Sequence, residues 1–127
     1  MIKGRKLDHI GVGVTDVEAS CAWYRDILGF TVIGDFVTGG VQAYFLKSGD
    51  TVYEMYQEDL PTEIQGKIDH IAYVSEDIEA DYAFCKEQGY TITTDGIEAI
   101  PEFWDNGCRY FKIASPTGEQ VEFCQVL

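Results

Sequence analysis

The chain contains two histidines, His9 and His70, and each stands at the centre of an Asp-His-Ile tripeptide. A glutamate follows each of them later in the chain, Glu54 within the run "VYEMYQ" and Glu122 within "QVEFCQ". Two imidazoles and two carboxylates form a donor set that suits one divalent ion of nickel, zinc, cobalt, manganese or iron, and the two carboxylates balance its charge. The four residues do not form a local motif such as HExxH, so only the fold can bring them together.

These residues recur because the chain repeats itself. The segment "KLDHIGVGVTDVEASCAWYRDILGF" returns as "KIDHIAYVSEDIEADYAFCKEQGY", and "VYEMYQ" returns as "QVEFCQ". The repeat aligns Asp16 with Asp77, and Gln57 with Gln125. Two copies of about sixty residues are too few and too long for a solenoid. They indicate a tandem duplication that folds into one domain with internal pseudo-symmetry.

Each copy predicts the same five elements. Alternating apolar residues in "LDHIGVGV" and "IDHIAYVS" are typical of a first strand. Asp16 and Asp77 are good N-caps for the helix that follows, and Gly29 and Gly89 favour its end. "FTVIGDFV" and "YTITTDGI" follow as strands, and a hairpin closes each copy. We therefore predict an α+β fold of two tandem β-α-β-β-β modules, about 5–57 and 67–127, linked by 58–66 within a single domain over 1–127.

Strand alternation predicts that the four donors lie on the face of the sheet opposite the helices. If Ile10 and its alternate neighbours face the helix, His9 faces the other way, and the same parity holds for His70. Glu54 and Glu122 lie among apolar and aromatic residues, where an unpaired carboxylate is costly to bury. Each therefore needs a partner, and each copy supplies one histidine. The alternative is that both histidines are ordinary core residues and both glutamates lie on a solvated sheet face.

The composition narrows the class of protein. The net charge is −13, from 22 acidic and 9 basic residues. This balance argues against nucleic acid and anionic membranes as partners, because both require clustered lysine and arginine. No apolar run approaches the roughly 20 residues of a membrane span, and the N-terminus lacks the pattern of a signal peptide. We therefore expect a cytoplasmic protein.

The repeated "DHIGVGVTDVEASCAWYRDILGF" and "DHIAYVSEDIEADYAFCKEQGY", with the ending "SPTGEQVEFCQ", resemble the vicinal oxygen chelate superfamily. This superfamily includes glyoxalase I, bleomycin-resistance proteins and extradiol dioxygenases, and the resemblance is closest to glyoxalase I-like members. It implies that the two modules form a curved mixed sheet around a metal-binding cleft. In such proteins, one residue from the first strand and one from the last strand of each module bind the metal. The resemblance therefore implies that the metal ligands are His9, Glu54, His70 and Glu122. The resemblance also implies a small-molecule substrate and a homodimer.

The same resemblance implies a reaction. The divalent metal of such proteins binds oxygens of the substrate, and the glyoxalase I type moves a proton between adjacent carbons. Carried over, Glu122 is the expected proton-transfer base and Glu54 its partner, in an isomerisation like that of lactoylglutathione lyase. Methylmalonyl-CoA epimerases usually have glutamine at the position of Glu54, so the glutamate favours the glyoxalase type. Gly13 and Glu58 stand where glutathione-using members usually carry arginine and asparagine, which leaves the thiol open.

Two other functions of the superfamily stay open. An extradiol-type dioxygenase uses two histidines and one carboxylate on ferrous iron, so the second glutamate speaks against it. A drug-binding protein of the bleomycin-resistance type performs no chemistry and generally lacks the full set of four donors. Arg25, Arg109 and Lys112 are the candidate partners of an anionic substrate. The sequence leaves open the metal, the substrate, and whether one chain or a dimer builds the site.

Overall fold

The computed structural model describes residues 2–61, 63–64, 66–116 and 118–127. These described residues contain two helices and eight strands, arranged as two copies of the order β-α-β-β-β. The predicted α+β fold is therefore confirmed. Residues 62 and 65 of the predicted linker lie outside the described residues, and the single domain over 1–127 stays a prediction.

The chain forms two compact units, His9–Asp69 and His70–Leu127, and the second also contains the N-terminal segment up to Asp8. The elements of the first copy are β1 Leu7–Val14, α1 Val17–Leu28, β2 Thr31–Thr38, β3 Val41–Ser48 and β4 Thr51–Gln57. Those of the second copy are β5 Gly66–Val74, α2 Ile78–Glu87, β6 Glu98–Ile100, β7 Cys108–Ala114 and β8 Gln120–Val126. Both copies pair their strands in the same way. The first strand lies parallel to the last, and the other neighbours are antiparallel.

The two helices begin at the predicted residues. Asp16 and Asp77 are the N-caps of α1 and α2, and each carboxylate accepts a hydrogen bond from the backbone N–H three residues on, at 3.0 and 3.1 Å. Gly29 is the C-cap of α1 with a φ of 71°, whereas the C-cap of α2 is Gln88, one residue before Gly89. Within the described ranges, neither helix has the length and apolar composition of a membrane span.

Two equivalent glutamines join the last strand of each copy to the start of its helix. Gln57 accepts a hydrogen bond from the backbone N–H of Val17 at 2.9 Å, and Gln125 accepts one from Ile78 at 3.1 Å. Each glutamine also donates its amide to a backbone carbonyl just before the helix. Glu54 and Glu122 stand three residues before these glutamines, on the same strands. The hydrogen bonds of the two glutamines therefore hold in place the strands that carry the predicted carboxylate ligands.

Each unit has an apolar core beneath its own helix. The buried core residues of the first unit are Val14, Val17, Cys21, Phe30, Leu46 and Met55. Those of the second are Ile78, Cys85, Phe111 and Phe123. Burial of this apolar surface provides the main favourable term for each unit.

The strand predicted at "YTITTDGI" is wrong in its position. Ile92 makes only an isolated bridge to β7, and the strand of this copy begins later, at Glu98–Ile100. The side chain of Thr94 explains the shift. Its hydroxyl oxygen accepts a hydrogen bond from the backbone N–H of Lys112 at 3.1 Å, and its hydroxyl hydrogen is donated to the carbonyl of Gly96 at 2.9 Å. The side chain thus replaces a backbone partner of the ladder. The chain then turns at Gly96, which has a φ of 69°.

A buried ion pair fixes the N-terminal segment to α2. Two guanidinium nitrogens of Arg5 lie 2.7 and 2.6 Å from the carboxylate oxygens of Asp81, and Ser75 donates to the same carboxylate at 2.6 Å. The side chain of Asp81 is 8% exposed, and that of Arg5 is 24% exposed. Burial by itself raises the pKa of Asp81, but the hydrogen bonds from Arg5 and Ser75 outweigh it and hold the pKa below its usual value.

We expect Asp81→Asn to lower the free energy of unfolding at pH 7 by about 2–3 kcal/mol, because it leaves Arg5 partly buried without its ion-pair partner. The stability that the lowered pKa contributes is present above the unfolded pKa of about 3.9 and is lost as the pH falls through the folded value. The difference between Asp81→Asn and the unsubstituted protein should therefore shrink below about pH 4. Urea unfolding from pH 3 to 8 measures this, with the exposed neighbour Glu76→Gln as control. A difference that stays constant over this pH range would contradict the assignment.

Candidate metal centre

The first predicted pair of ligands comes together within the unit His9–Asp69. His9 lies on β1 and Glu54 on β4, which are parallel neighbours with Gly11 opposite Glu54. Both residues are buried, with exposures of 3% and 8%. The Nε2 atom of His9 lies 3.8 Å from Oε1 of Glu54. The pairing of a parallel first and last strand thus places one imidazole beside one carboxylate.

An aromatic ring of β3 lies against this first pair. Phe45 of β3 lies directly opposite Glu54 in the antiparallel register. Its ring also meets the His9 imidazole edge to face, with the ring centres 5.6 Å apart at 79°. A carboxylate on such a surface is stabilised only by a close cation or by hydrogen-bond donors. The Phe45 ring therefore favours a cation as the partner of Glu54.

The second predicted pair comes together in the same way within the other unit. His70 lies on β5 and Glu122 on β8, with Ala72 opposite Glu122. Each of the two is 4% exposed. The Nε2 atom of His70 lies 3.4 Å from Oε2 of Glu122. The two copies therefore build the same histidine–glutamate pair from equivalent strands.

Lys112 distinguishes the second pair from the first. It lies directly opposite Glu122 across β7 and β8, at the place that Phe45 has in the first unit. Its Nζ is 3.9 Å from Oε2 of Glu122, and its side chain is 17% exposed. Lys112 stands out from the other two candidate cations only through the register of the final hairpin. The sequence alone does not fix that register to the residue.

The other two candidate cations have exposed partners outside this site. Arg25 pairs with Asp26 at 3.0 Å, and both side chains are more than half exposed. Arg109 pairs with Glu79 of α2 at 2.5 Å. Lys112 is therefore the one of the three that the structure brings to a predicted ligand.

The geometry of both pairs fits a metal ion. A charge-assisted hydrogen bond between imidazole and carboxylate would be about 2.7–2.9 Å long, whereas the two separations are 3.8 and 3.4 Å. Donors at about 2.0–2.2 Å from one ion lie roughly 3 Å or slightly more from each other, depending on the coordination geometry. Each pair also combines a nitrogen with a carboxylate oxygen, the ligand types of zinc and similar ions. The residues present therefore fit the divalent metal that the sequence predicts.

A neutral phenol accompanies Glu54 on β4. Tyr56 is two residues further along the strand and lies on the same face. Burial, with the nearby carboxylates of Asp69, Glu54 and Glu58, raises the pKa of Tyr56, and Asp69 accepts its hydroxyl hydrogen. Tyr56 thus stays protonated at neutral pH. Its one hydroxyl hydrogen is donated to Asp69, and it cannot serve as the base.

The model of the Glyoxalase/Bleomycin resistance protein/Dioxygenase superfamily matches residues 6–123. The chain belongs to this superfamily. The sequence resemblance is thereby confirmed, and a fold of two β-α-β-β-β modules is the fold expected of a superfamily member.

Two curated relatives of the superfamily align with the chain. The uncharacterized protein YwbC of Bacillus subtilis (strain 168) is 35% identical over 130 residues, covering 95% of this chain and 98% of YwbC. The metallothiol transferase FosB of Staphylococcus epidermidis is 34% identical over 95 residues, covering 72% of this chain and 65% of FosB. The first relative aligns with nearly the whole chain. The second carries a name that implies a metal and a thiol.

Solved structures of the superfamily superpose over nearly the full length. The hypothetical protein BH1468 from Bacillus halodurans C-125 has a TM-score of 0.80 at 28% identity and covers 98% of this chain and 96% of its own. Methylmalonyl-CoA epimerase from Mycobacterium tuberculosis has a TM-score of 0.78 at 18% identity and covers 100% of this chain and 93% of its own. At that identity the epimerase establishes a shared fold alone.

Proposed function

We propose that this chain is a divalent-metal-dependent lyase or isomerase of the glyoxalase I type, which transfers a proton next to a chelated oxygen of a small substrate. One ion is shared by His9, Glu54, His70 and Glu122. The observation that carries the proposal is the buried histidine–glutamate pair, built from equivalent strands of both modules at 3.8 and 3.4 Å. The superfamily relationship supports it, because the name of one relative, the metallothiol transferase FosB, implies a metal.

The bound ion would act as a Lewis acid, which polarises substrate oxygens and acidifies the adjacent C–H bond. Glu122 then accepts that carbon-bound proton as general base. Glu54, on the equivalent strand of the other module, would be its partner: the proton that Glu122 has taken passes through Glu54 to the neighbouring carbon, so that both carboxylates end the cycle ionised. One proton leaves the substrate and one is given back, so the isomerisation needs no oxidant or reductant.

Lys112 and Phe45 support the division of roles between the two glutamates. When Glu122 turns toward the substrate, Lys112 at 3.9 Å offers its carboxylate a second cation. At the equivalent position opposite Glu54 stands Phe45, which carries no charge. Glu122 is therefore the better placed to leave a ligand position during turnover, and Glu54 is the better suited to remain at the ion.

A second candidate function is metal-dependent transfer of a thiol to a small molecule. The 34% identity with the metallothiol transferase FosB favours it. Such a reaction would use the same four donors but would consume a thiol and form a new carbon–sulfur bond. Loss of free thiol in the presence of an electrophile, compared with isomerisation of a hemithioacetal, separates the two candidates.

The metal itself gives the first test. We expect the purified protein to bind close to one equivalent of nickel, zinc, cobalt, manganese or iron, to lose it to a chelator, and to regain it. Because an ion that binds only the folded state stabilises it, saturation at a hundred times Kd should add about 2.7 kcal/mol to the unfolding free energy. Elemental analysis and thermal unfolding measure the two effects.

The outcomes of this test separate the remaining functions. Bound metal with oxygen consumption in the presence of a catechol would favour the extradiol-type dioxygenase. No metal under any of these conditions would contradict the enzyme proposal and favour a drug-binding protein of the bleomycin-resistance type. The homodimer and the cytoplasmic location stay predictions.

A further inference from the structure

The side chain of Glu58 lies across Gly13. The backbone N–H of Glu58 donates to the carbonyl of Val14 at 2.8 Å, so the parallel ladder between β1 and β4 continues past the end of β4. A Cβ added to Gly13 would lie 1.8 Å from Oε2 of Glu58 and 3.0 Å from its Cδ. Any larger residue at position 13 would displace this carboxylate. The glycine therefore makes the observed place of Glu58 possible.

The Glu58 carboxylate lies on the same face as the pair of His9 and Glu54. Alternate residues of a strand share a face, so the missing side chain of Gly13 would point to the side of His9. The two positions are four residues apart on β1, which is roughly 13 Å at about 3.3 Å per residue. Glu58 is thus too far away for proton transfer but within reach of the far end of a substrate held at the pair.

The two oxygens of this carboxylate differ in their partners. Oε1 lies 3.1 Å from Nζ of Lys67. Oε2 is buried, and no residue in the described part of the chain forms a hydrogen bond with it. Buried carboxylate oxygens are nearly always paired, and an exception requires a physical reason. The Glu58 side chain as a whole is 29% exposed, so a cation on a bound molecule can approach the carboxylate from the side of Oε1 and balance the charge that Oε2 leaves without a hydrogen bond.

The charges around Glu58 favour a cationic donor. Lys67 also lies 3.8 Å from Oδ1 of Asp69, so two carboxylates share one ammonium and the three groups carry a net negative charge. The side chain of Lys67 is 43% exposed. An ion pair at such exposure is weak and exchanges readily. A second ammonium can therefore join the carboxylate of Glu58 or take the place of Lys67.

We propose that Glu58 selects substrates that carry a protonated amine, or a similar cationic group, at the end remote from the metal. Substrates that end in a carboxylate or a phosphate are repelled by the same carboxylate. This inference rests on the proposed function, because it takes the chelating end of the substrate to be at the pair of His9 and Glu54. Glu58 is a specificity residue and takes no part in the chemical step.

Three hydroxamates of equal chain length test the proposal. A hydroxamate chelates a divalent ion through two neighbouring oxygens, and this group is the same in all three probes. The far end differs: an amine in aminooctanohydroxamate, a methyl group in nonanohydroxamate, and a carboxylate in the hydroxamate of a dicarboxylic acid. Calorimetric titration of the zinc-loaded protein measures each Kd. We expect the amine-ended probe to bind at least about tenfold more tightly than the methyl-ended one, and the carboxylate-ended probe to bind most weakly.

Four variants locate the effect. Glu58→Gln removes the charge, and Gly13→Ala keeps the charge but moves the carboxylate, so both should make the amine-ended and methyl-ended probes bind equally. The exposed neighbour Asp59→Asn changes the net charge by the same amount and should leave the preference intact. Lys67→Gln removes the competing ammonium and should increase the preference. Thermal unfolding confirms that each variant is folded.

The outcomes distinguish this inference from the proposed function. Equal binding of the three probes to the unsubstituted protein, or a preference that survives Glu58→Gln, would overturn the role of Glu58 and leave the metal site standing. If no hydroxamate binds, the metal site fails instead, and octylammonium chloride on the metal-free protein decides the role of Glu58. Binding that Glu58→Gln abolishes would then support the role, and no binding would overturn it.

Discussion

Replacement of either histidine by alanine is expected to weaken metal binding by at least about 1000-fold. Loss of a residue that only orients a ligand costs roughly 10–100-fold in affinity, and loss of a ligand itself should cost more. The histidine is also the single nitrogen donor of its pair, so nothing else in the pair can replace it. Competition with a chelator of known affinity measures the change for His9→Ala and His70→Ala.

The stoichiometry of the same two variants tests whether one ion is shared. If His9, Glu54, His70 and Glu122 hold a single ion, each variant loses all of the bound metal. If each pair held its own ion, the unsubstituted protein would bind two equivalents, and each variant would lose one of them. Retention of half of the metal in both variants would therefore contradict the single shared ion. It would still support each histidine–glutamate pair as a metal site. Far-ultraviolet circular dichroism serves as the folding control.

The repeat explains why so much of the site could be predicted. Equivalent positions of a duplicated module have equivalent neighbours, so the alignment of His9 with His70 and of Glu54 with Glu122 already implied two similar pairs. The N-caps Asp16 and Asp77 could be predicted because a cap depends on a few adjacent residues. These are local or repeated features, and a single sequence contains them.

The features that could not be predicted depend on contacts across strands. Whether Lys112 or Phe45 lies opposite a glutamate depends on hairpin register, which a shift of one residue would reverse. The misplaced strand at 90–97 depends on the side chain of Thr94, which takes a backbone N–H that the pattern assigned to the ladder. The place of Glu58 over Gly13 also depends on pairing, between β1 and the chain beyond β4.

Pairing across the chain also explains the N-terminal segment. The module boundary predicted near residue 5 assigns Arg5 to the first copy. Its guanidinium instead pairs with Asp81, which lies 76 residues away on α2. An ion pair at this separation leaves no periodic or local trace in the sequence, so only the folded chain reveals it.

Glu122→Gln is expected to lower turnover by about 1000-fold, within the range of roughly 10²–10⁴ that a positioned general base contributes. Glutamine keeps an oxygen donor for the ion and a similar shape, but its amide cannot accept the carbon-bound proton. The assay uses the hemithioacetals that methylglyoxal forms with glutathione and with mercaptoethanol, on protein with measured metal content. Exchange of the substrate C–H with deuterium from solvent reports proton removal separately from product formation.

Comparison of the two glutamates makes this test specific to the base. Glu54→Gln should reduce turnover less, by about 100-fold, at the lower end of the range for a proton-transfer group, because Glu54 is proposed to stay near the ion and to lose only its part in returning the proton. The exposed Glu87→Gln, with the same change of charge, should have no effect. If Glu54→Gln instead abolished deuterium exchange while Glu122→Gln preserved it, the base would belong to the first pair. The base would then be Glu54, which faces Phe45, and not Glu122, which faces Lys112. A lysine opposite the carboxylate would in that case not be what marks the base.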